Sequence, residues 1–114
     1  MLIYKVLTLA QAAEYERAGE APLSPDDTRD GYVHLSTRAQ LLGTLERHFA
    51  AEAAIRVLAV EADRLGEALR WEESRKGEAF PHLYGRLQAR DVTMGWVIAR
   101  THDGSFRLPA DMPV

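Results

Sequence analysis

The sequence predicts an α+β fold whose sheet is mostly antiparallel. Two early segments open with capping boxes, Thr8-Leu9-Ala10-Gln11 and Thr37-Arg38-Ala39-Gln40, each placing a hydroxyl three residues ahead of a Gln. The second half carries β-type runs, nearly continuous and apolar at 55–61 and alternating at 92–100. Helical segments early and strands late define the class.

Residues 2–7 form the expected first strand. The first capping box starts a helix that runs to Gly19, a natural residue for the position just past a helix end. Residues 20–30 read as a loop, because Pro22, Ser24, Pro25, Asp26 and Asp27 are turn residues, and the acidic pair either faces solvent, the commoner outcome, or approaches the site. Gly31-Tyr32-Val33-His34-Leu35-Ser36-Thr37 reads as a strand, with Val33 and Leu35 on one side and Tyr32, His34 and Ser36 on the other. A helix over 38–51 follows directly, its stripe of Leu41, Leu45, His48 and Phe49 facing the core. The run at 55–61 is a central strand buried on both faces. Residues 62–67 connect it to a strand at 68–72 that carries Leu69 and Trp71. Residues 73–81 read as loop and 82–85 as a short strand with His82 and Tyr84 on one face. In the strand at 92–100, Val92, Met94, Trp96 and Ile98 share a face, and Asp103-Gly104 turns the chain back through Phe106 to Leu108.

At 114 residues the chain is expected to form one domain, 1–114, large enough for its own core. A net charge of −3 argues against bulk nucleic-acid binding, which wants a basic surface, but leaves room for a small anionic ligand in a local pocket. There is no cysteine, so disulfides and thiolate chemistry are excluded. No apolar run approaches the ~18 residues of a membrane span. The opening residues are too soon broken by charge for a secretory signal, so a cytoplasmic location is expected. The oligomeric state leaves no mark that composition or periodicity reveals.

The chemistry concentrates in three stretches. A lone strand histidine is more often structural than functional, but His34 shares its strand face with Tyr32 and Ser36. The helix start at Thr37 offers free N–H groups to an anion. Together these favour a phosphate-bearing ligand. In Trp71-Glu72-Glu73-Ser74-Arg75-Lys76, a charged run that is usually a solvated loop, Trp71 and Arg75 are placed to serve as a pocket wall and an anion contact. In Phe80-Pro81-His82-Leu83-Tyr84-Gly85, His82 and Tyr84 lie two residues apart, and an aromatic ring there is suited to stacking on a flat heterocycle. His34 and His82 lack metal-ligand spacing, so no metal site is expected. Nothing resembles a nucleophile elbow, so a Ser–His–Asp hydrolase is not supported.

These stretches carry a resemblance. Ile3-Tyr4-Lys5-Val6, Asp30-Gly31-Tyr32-Val33-His34-Leu35-Ser36-Thr37, Leu69-Arg70-Trp71-Glu72 and Phe80-Pro81-His82-Leu83-Tyr84-Gly85 together resemble the domain of unknown function 952 family. The likeness extends over almost the whole chain. It implies an ADP-ribosyltransferase-like fold, a split and mostly antiparallel sheet with a cleft that holds NAD in relatives. It further implies His34 and Ser36 on a ribose and Tyr84 against the nicotinamide. The wider superfamily often uses a late Glu, and this chain has none after Glu78; Gln88 and Asp91 are the nearby substitutes. Other members use Arg and His sets to remove a 2′-phosphate from RNA with NAD, and Arg70, Arg75 and Arg86 are available for such a set.

The leading expectation is therefore a nucleotide-binding protein whose ligand is NAD or a relative, with nicotinamide–ribose chemistry by His34 and Glu72. Tyr32, Ser36, Thr37, Trp71, Arg75, His82 and Tyr84 are its expected ligand contacts. The alternative is a non-catalytic small-molecule or nucleotide binding module in the same cleft. A third possibility is a partner-binding protein whose polar cluster is structural.

Overall fold

A computed structural model of the protein describes residues 1–113, the Arg75 side chain apart. The fold is α+β. Strand β1 (Leu2–Thr8) passes at once into helix α1 (Leu9–Ala18). The Thr8 hydroxyl accepts from the Gln11 amide, Gln11 Oε1 accepts from the Thr8 amide, and Gly19 ends the helix at φ 72°. Helix α2 (Pro25–Asp30) replaces the expected loop. The reason is a third capping box: Ser24 caps the Asp27 amide, the Asp27 carboxylate accepts from the Ser24 amide, and Pro25 fills the first turn, where its missing N–H costs nothing.

The His34 stretch is shorter as a strand than expected. Only Val33–His34 pairs as β2, and Ser36 makes an isolated bridge further on. The capping box at Thr37 forms, but it opens a three-residue 3₁₀ turn, Arg38–Gln40, before α3 (Leu41–His48). Strands β3 (Ala54–Glu61), β4 (Leu69–Glu73), β5 (Ala79–Leu83) and β6 (Val92–Ala99) follow. Thus β5 starts within the expected loop, and Tyr84 lies just past its end. After the turn at Gly104, residues 105–113 return as irregular chain rather than as a strand.

Two three-stranded antiparallel sheets result, ordered β1-β3-β6 and β2-β5-β4. They meet where Tyr4 and Ser36 exchange backbone hydrogen bonds of 2.8 and 2.9 Å. As expected for a central strand, β3 is buried on both faces. One face packs Leu58 and Val60, with Ile3 and Leu7, against Tyr15 of α1 and against Val33, Leu35 and Leu83 of the second sheet. The other packs Ile55 and Val57, with Tyr4 and Val6, against Leu41 and Leu45 of α3 and against Phe106 and Met112. In β6 the expected shared face breaks at its start. A register shift between Ala59 and Val60 pairs Val92 with Val60, so Val92 joins the first cluster while Trp96 and Ile98 join the second.

Leu45 is fully buried against the sheet. Leu45→Ala is expected to cost about 2–5 kcal/mol in a chemical denaturation series. A loss under about 1 kcal/mol would place the side chain outside the core.

Candidate functional site

The second sheet shows two chemically different faces. Alternation sends Val33, Leu83 and Leu69 into the core. The other face carries His34 opposite His82, Arg70 opposite His82 and Glu72 opposite Phe80. Tyr32 lies over this face at the centre of an aromatic cluster. Its ring stacks on His82 at 4.0 Å between centroids and 22° between planes, and it stands 4.7 Å from His34 and 5.3 Å from Tyr84. His34 and Tyr84, fifty residues apart in sequence, therefore converge on one ring.

His34 is held by α2. Its Nδ1 lies 2.7 Å from Asp27 Oδ1 and its Nε2 lies 2.9 Å from Asp30 Oδ2. Both bonds exist together when both ring nitrogens carry protons, because each acceptor is a carboxylate. The His34 amide also donates to Asp27 Oδ1 at 3.1 Å. The second oxygen of Asp27 accepts from Lys5 Nζ and from the Ser24 amide, each at 3.0 Å. Asp27 and Lys5 are both buried, at 1% and 4% exposure. Burial opposes the charge on Asp27. The His34 hydrogen bond, the Lys5 charge and the Ser24 amide outweigh it and hold the carboxyl well below the usual carboxylate range. Asp30 is lowered to about 2, first by its bond to Arg29 and then by His34.

His82 is held differently. Its Nδ1 lies 2.8 Å from Glu72 Oε1, and the Tyr84 hydroxyl donates to both Glu72 oxygens at 2.8 and 3.1 Å. The His82 hydrogen bond, then that of Tyr84, lowers Glu72; the same bond raises Tyr84. The Arg70 guanidinium lies 4.6 Å above the Tyr84 ring. A carboxylate only accepts, so Nδ1 carries the proton, and in the neutral ring Nε2 then presents a lone pair. Nε2 makes no hydrogen bond among the described residues, and neither does the Tyr32 hydroxyl.

Tyr32, His34 and His82 border a cleft of about 410 Å³, within the ~300–1,000 Å³ common for small-ligand sites. Its lining includes Tyr32, His34, Phe80 and His82 together with Arg47, His48 and Glu52. Arg47 makes no ion pair among the described residues. No group of three or more potential metal ligands occurs among the described residues.

The expected contacts divide accordingly. Tyr32, His34 and His82 line the cleft; Glu72 and Tyr84 stand behind His82. The Ser36 backbone is the seam between the sheets, and its hydroxyl is buried against Thr44 Oγ1 at 2.8 Å, so it borders the cleft with its bonding partner already chosen. Thr37 is engaged by Gln40 and does not line the cleft. Trp71 pairs with Pro81, which puts it on the opposite face from His82 and Glu72. The expected anion contact of Arg75 lies outside the described residues. Lys5 and Asp30 were missed by sequence reasoning, and Asp27 was given solvent as its commoner place. The signals available were the Ser24-Pro25-Asp26-Asp27 capping pattern and a single Lys inside an apolar strand.

A small α+β domain type, two antiparallel sheets with a polar aromatic cleft along one of them, is thus defined. Comparison with known families assigns it: the model of the family described as "Protein of unknown function (DUF952)" matches residues 6–94, and the chain belongs to that family. The chain is similar to protein CC0527 from Caulobacter crescentus. The crystal structure of that protein is 39% identical with a TM-score of 0.87, covering 94% of both chains. Its solution NMR structure is 40% identical with a TM-score of 0.80, covering 91% of this chain and 90% of that one. A comparison with curated proteins finds no match. No helix among the described residues is long and apolar enough to cross a membrane.

The lowered pKa of Asp27 has a stability consequence. A carboxyl depressed in the folded state adds stability that is complete above its unfolded pKa, about 3.9, and is lost as pH falls below it. Asp27→Asn is expected to destabilise the domain at neutral pH by about 3–5 kcal/mol, since Lys5 is left buried without its charge partner. It should also flatten the fall in stability below about pH 4. Urea denaturation of both proteins across that range checks this, and an unchanged acid limb would remove Asp27 from the account.

Proposed function

We propose that the cleft binds NAD or a related nucleotide, and that the two sheets joined at Tyr4 and Ser36 form the split sheet of an ADP-ribosyltransferase-like fold. One observation carries the reading: a carboxylate-held imidazole whose Nε2 makes no hydrogen bond among the described residues and an Arg47 guanidinium without an ion pair among them border the same cleft. An anionic ligand with hydroxyls and a flat ring matches that donor set. Arg47 meets phosphate oxygens. Tyr32 and Phe80 form the wall for a ring. His82 Nε2 accepts from a ribose hydroxyl or from an attacking hydroxyl or water.

NAD brings a nicotinamide–ribose bond whose cleavage releases neutral nicotinamide. The residues around it act on protons and charge. His82 Nε2 takes the proton of the incoming hydroxyl, and Glu72 fixes the ring and stabilises the imidazolium that results. His34, with both nitrogens held by Asp27 and Asp30, positions Tyr32 and the α2 wall rather than contacting a ribose. A second reading, binding without turnover, is favoured by the engagement of both Glu72 oxygens with His82 and Tyr84, which leaves that carboxylate unavailable to a developing positive charge.

Calorimetric titration with NAD is expected to give saturable heat, weakened about ten- to hundredfold by Arg47→Ala. His82→Asn should lower nicotinamide release by about 10²–10⁴-fold while leaving the thermal transition near its wild-type position. Binding without release selects the second reading. Absence of heat with folded protein at millimolar NAD rejects both.

A further inference from the structure

The two sheets, joined at the Tyr4–Ser36 seam, leave two strands on the outside, β4 and β6. An exposed strand edge is a template for another strand, and folded proteins blunt it with charge, proline or short length. Strand β4 follows that rule: Arg70, Glu72 and Glu73 are three of its five residues. Strand β6 does not. Its eight residues, Val92 to Ala99, include no charge and no proline. Val97 is 65% exposed and Met94 41%, and Gly95 offers no side chain to cover the backbone. No backbone hydrogen bond reaches the outer side of β6 among the described residues. The one irregularity, the register shift near Val92, lies at its beginning and leaves residues 94–99 regularly paired to β3.

We infer that β6 is a self-pairing edge, and that a second copy of this chain covers it through an antiparallel β6–β6 contact about a twofold axis. The charge pattern selects this occupant over the chain's other edge. Pairing β6 with β4 of another copy would lay charged residues along an apolar strand and would propagate head to tail without closing. Pairing β6 with itself sets only uncharged residues against uncharged residues, and it closes. A twofold axis normal to the sheet keeps each face continuous, so residues meet residues of the same face. With the axis at Trp96, Val97 of each copy stands opposite Gly95 of the other, an apolar side chain beside a position that has none. Arg56, which lies over Gly95, is already paired with Glu16 at 3.1 Å, so it brings no unbalanced charge to the seam. A single strand pair buries less than the ~1,200–2,000 Å² of a standard stable interface, so the association is concentration-dependent. This inference does not rest on the nucleotide reading of the cleft.

Sedimentation velocity on the full chain over a concentration series tests it. The wild type is expected to move from monomer toward dimer mass and to stop there. Val97→Lys, at a position exposed enough to leave the fold intact by circular dichroism, is expected to remain monomeric, and Val97→Thr to dimerise as the wild type does. Amide hydrogen exchange on the wild type gives a second reading without any variant: protection of β6 amides should rise with concentration, and that of β4 amides should not. A wild type that stays monomeric at its highest soluble concentration overturns the proposal. So does a Val97→Lys protein that dimerises unchanged, or a mass that keeps growing past two copies.

Discussion

The buried Asp27 carboxylate accepts four hydrogen bonds from three separate parts of the chain: Lys5 of β1, the Ser24 amide, and the amide and ring of His34. An isolated carboxylate in that position would be pushed toward neutrality. Lys5 and the hydrogen-bond donors reverse the balance, so the charge is kept and every oxygen contact is used. The energetic consequence is a demanding geometry rather than a large net stabilisation, because a buried ion pair gains little over an apolar substitute but loses much when one partner is removed. The structural consequence is that α2, six residues long and too short to persist alone, is anchored against both sheets.

From that anchor the two cleft histidines acquire different characters. Asp27 and Asp30 hold both nitrogens of His34, and the ring becomes part of the wall. Tyr32, two residues earlier, is thereby set against His82. Glu72 holds one nitrogen of His82, and the other makes no hydrogen bond among the described residues. The Glu72 carboxylate, the His82 imidazole and the stacked Tyr32 phenol thus form one connected unit, in which His82 Nε2 makes no hydrogen bond among the described residues. The Tyr84–Glu72 bond and the Arg70 charge over Tyr84 support that unit from behind.

Much of this architecture is legible in the chain. The helical starts at Thr8, Ser24 and Thr37 are all written as capping boxes that local geometry satisfies, two of them read as such, and the double-sided apolar run of β3 needs no context to read. The convergence of Tyr32, His34 and His82 is foreshadowed by their strand parity. What escapes is what depends on distant partners. Asp27 looks like a solvent-facing turn residue until Lys5 and His34 meet it, although its own capping box is present in the sequence. Trp71 looks like a pocket wall beside Glu72, but strand alternation puts neighbours on opposite faces. The Val92 expectation fails through a register shift that no local pattern announces. The free atom on His82, as against the two engaged atoms on His34, follows only from which carboxylates lie within reach.

The proposed nucleotide contact falls on His82 Nε2 and not on His34. Long-range ¹H–¹⁵N spectra of the histidine rings test it directly. The account predicts that His82 is the Nδ1–H tautomer in the free protein, and that addition of NAD moves its Nε2 resonance while both His34 nitrogens stay in place. A His34 ring that responds to NAD while His82 remains still would contradict it.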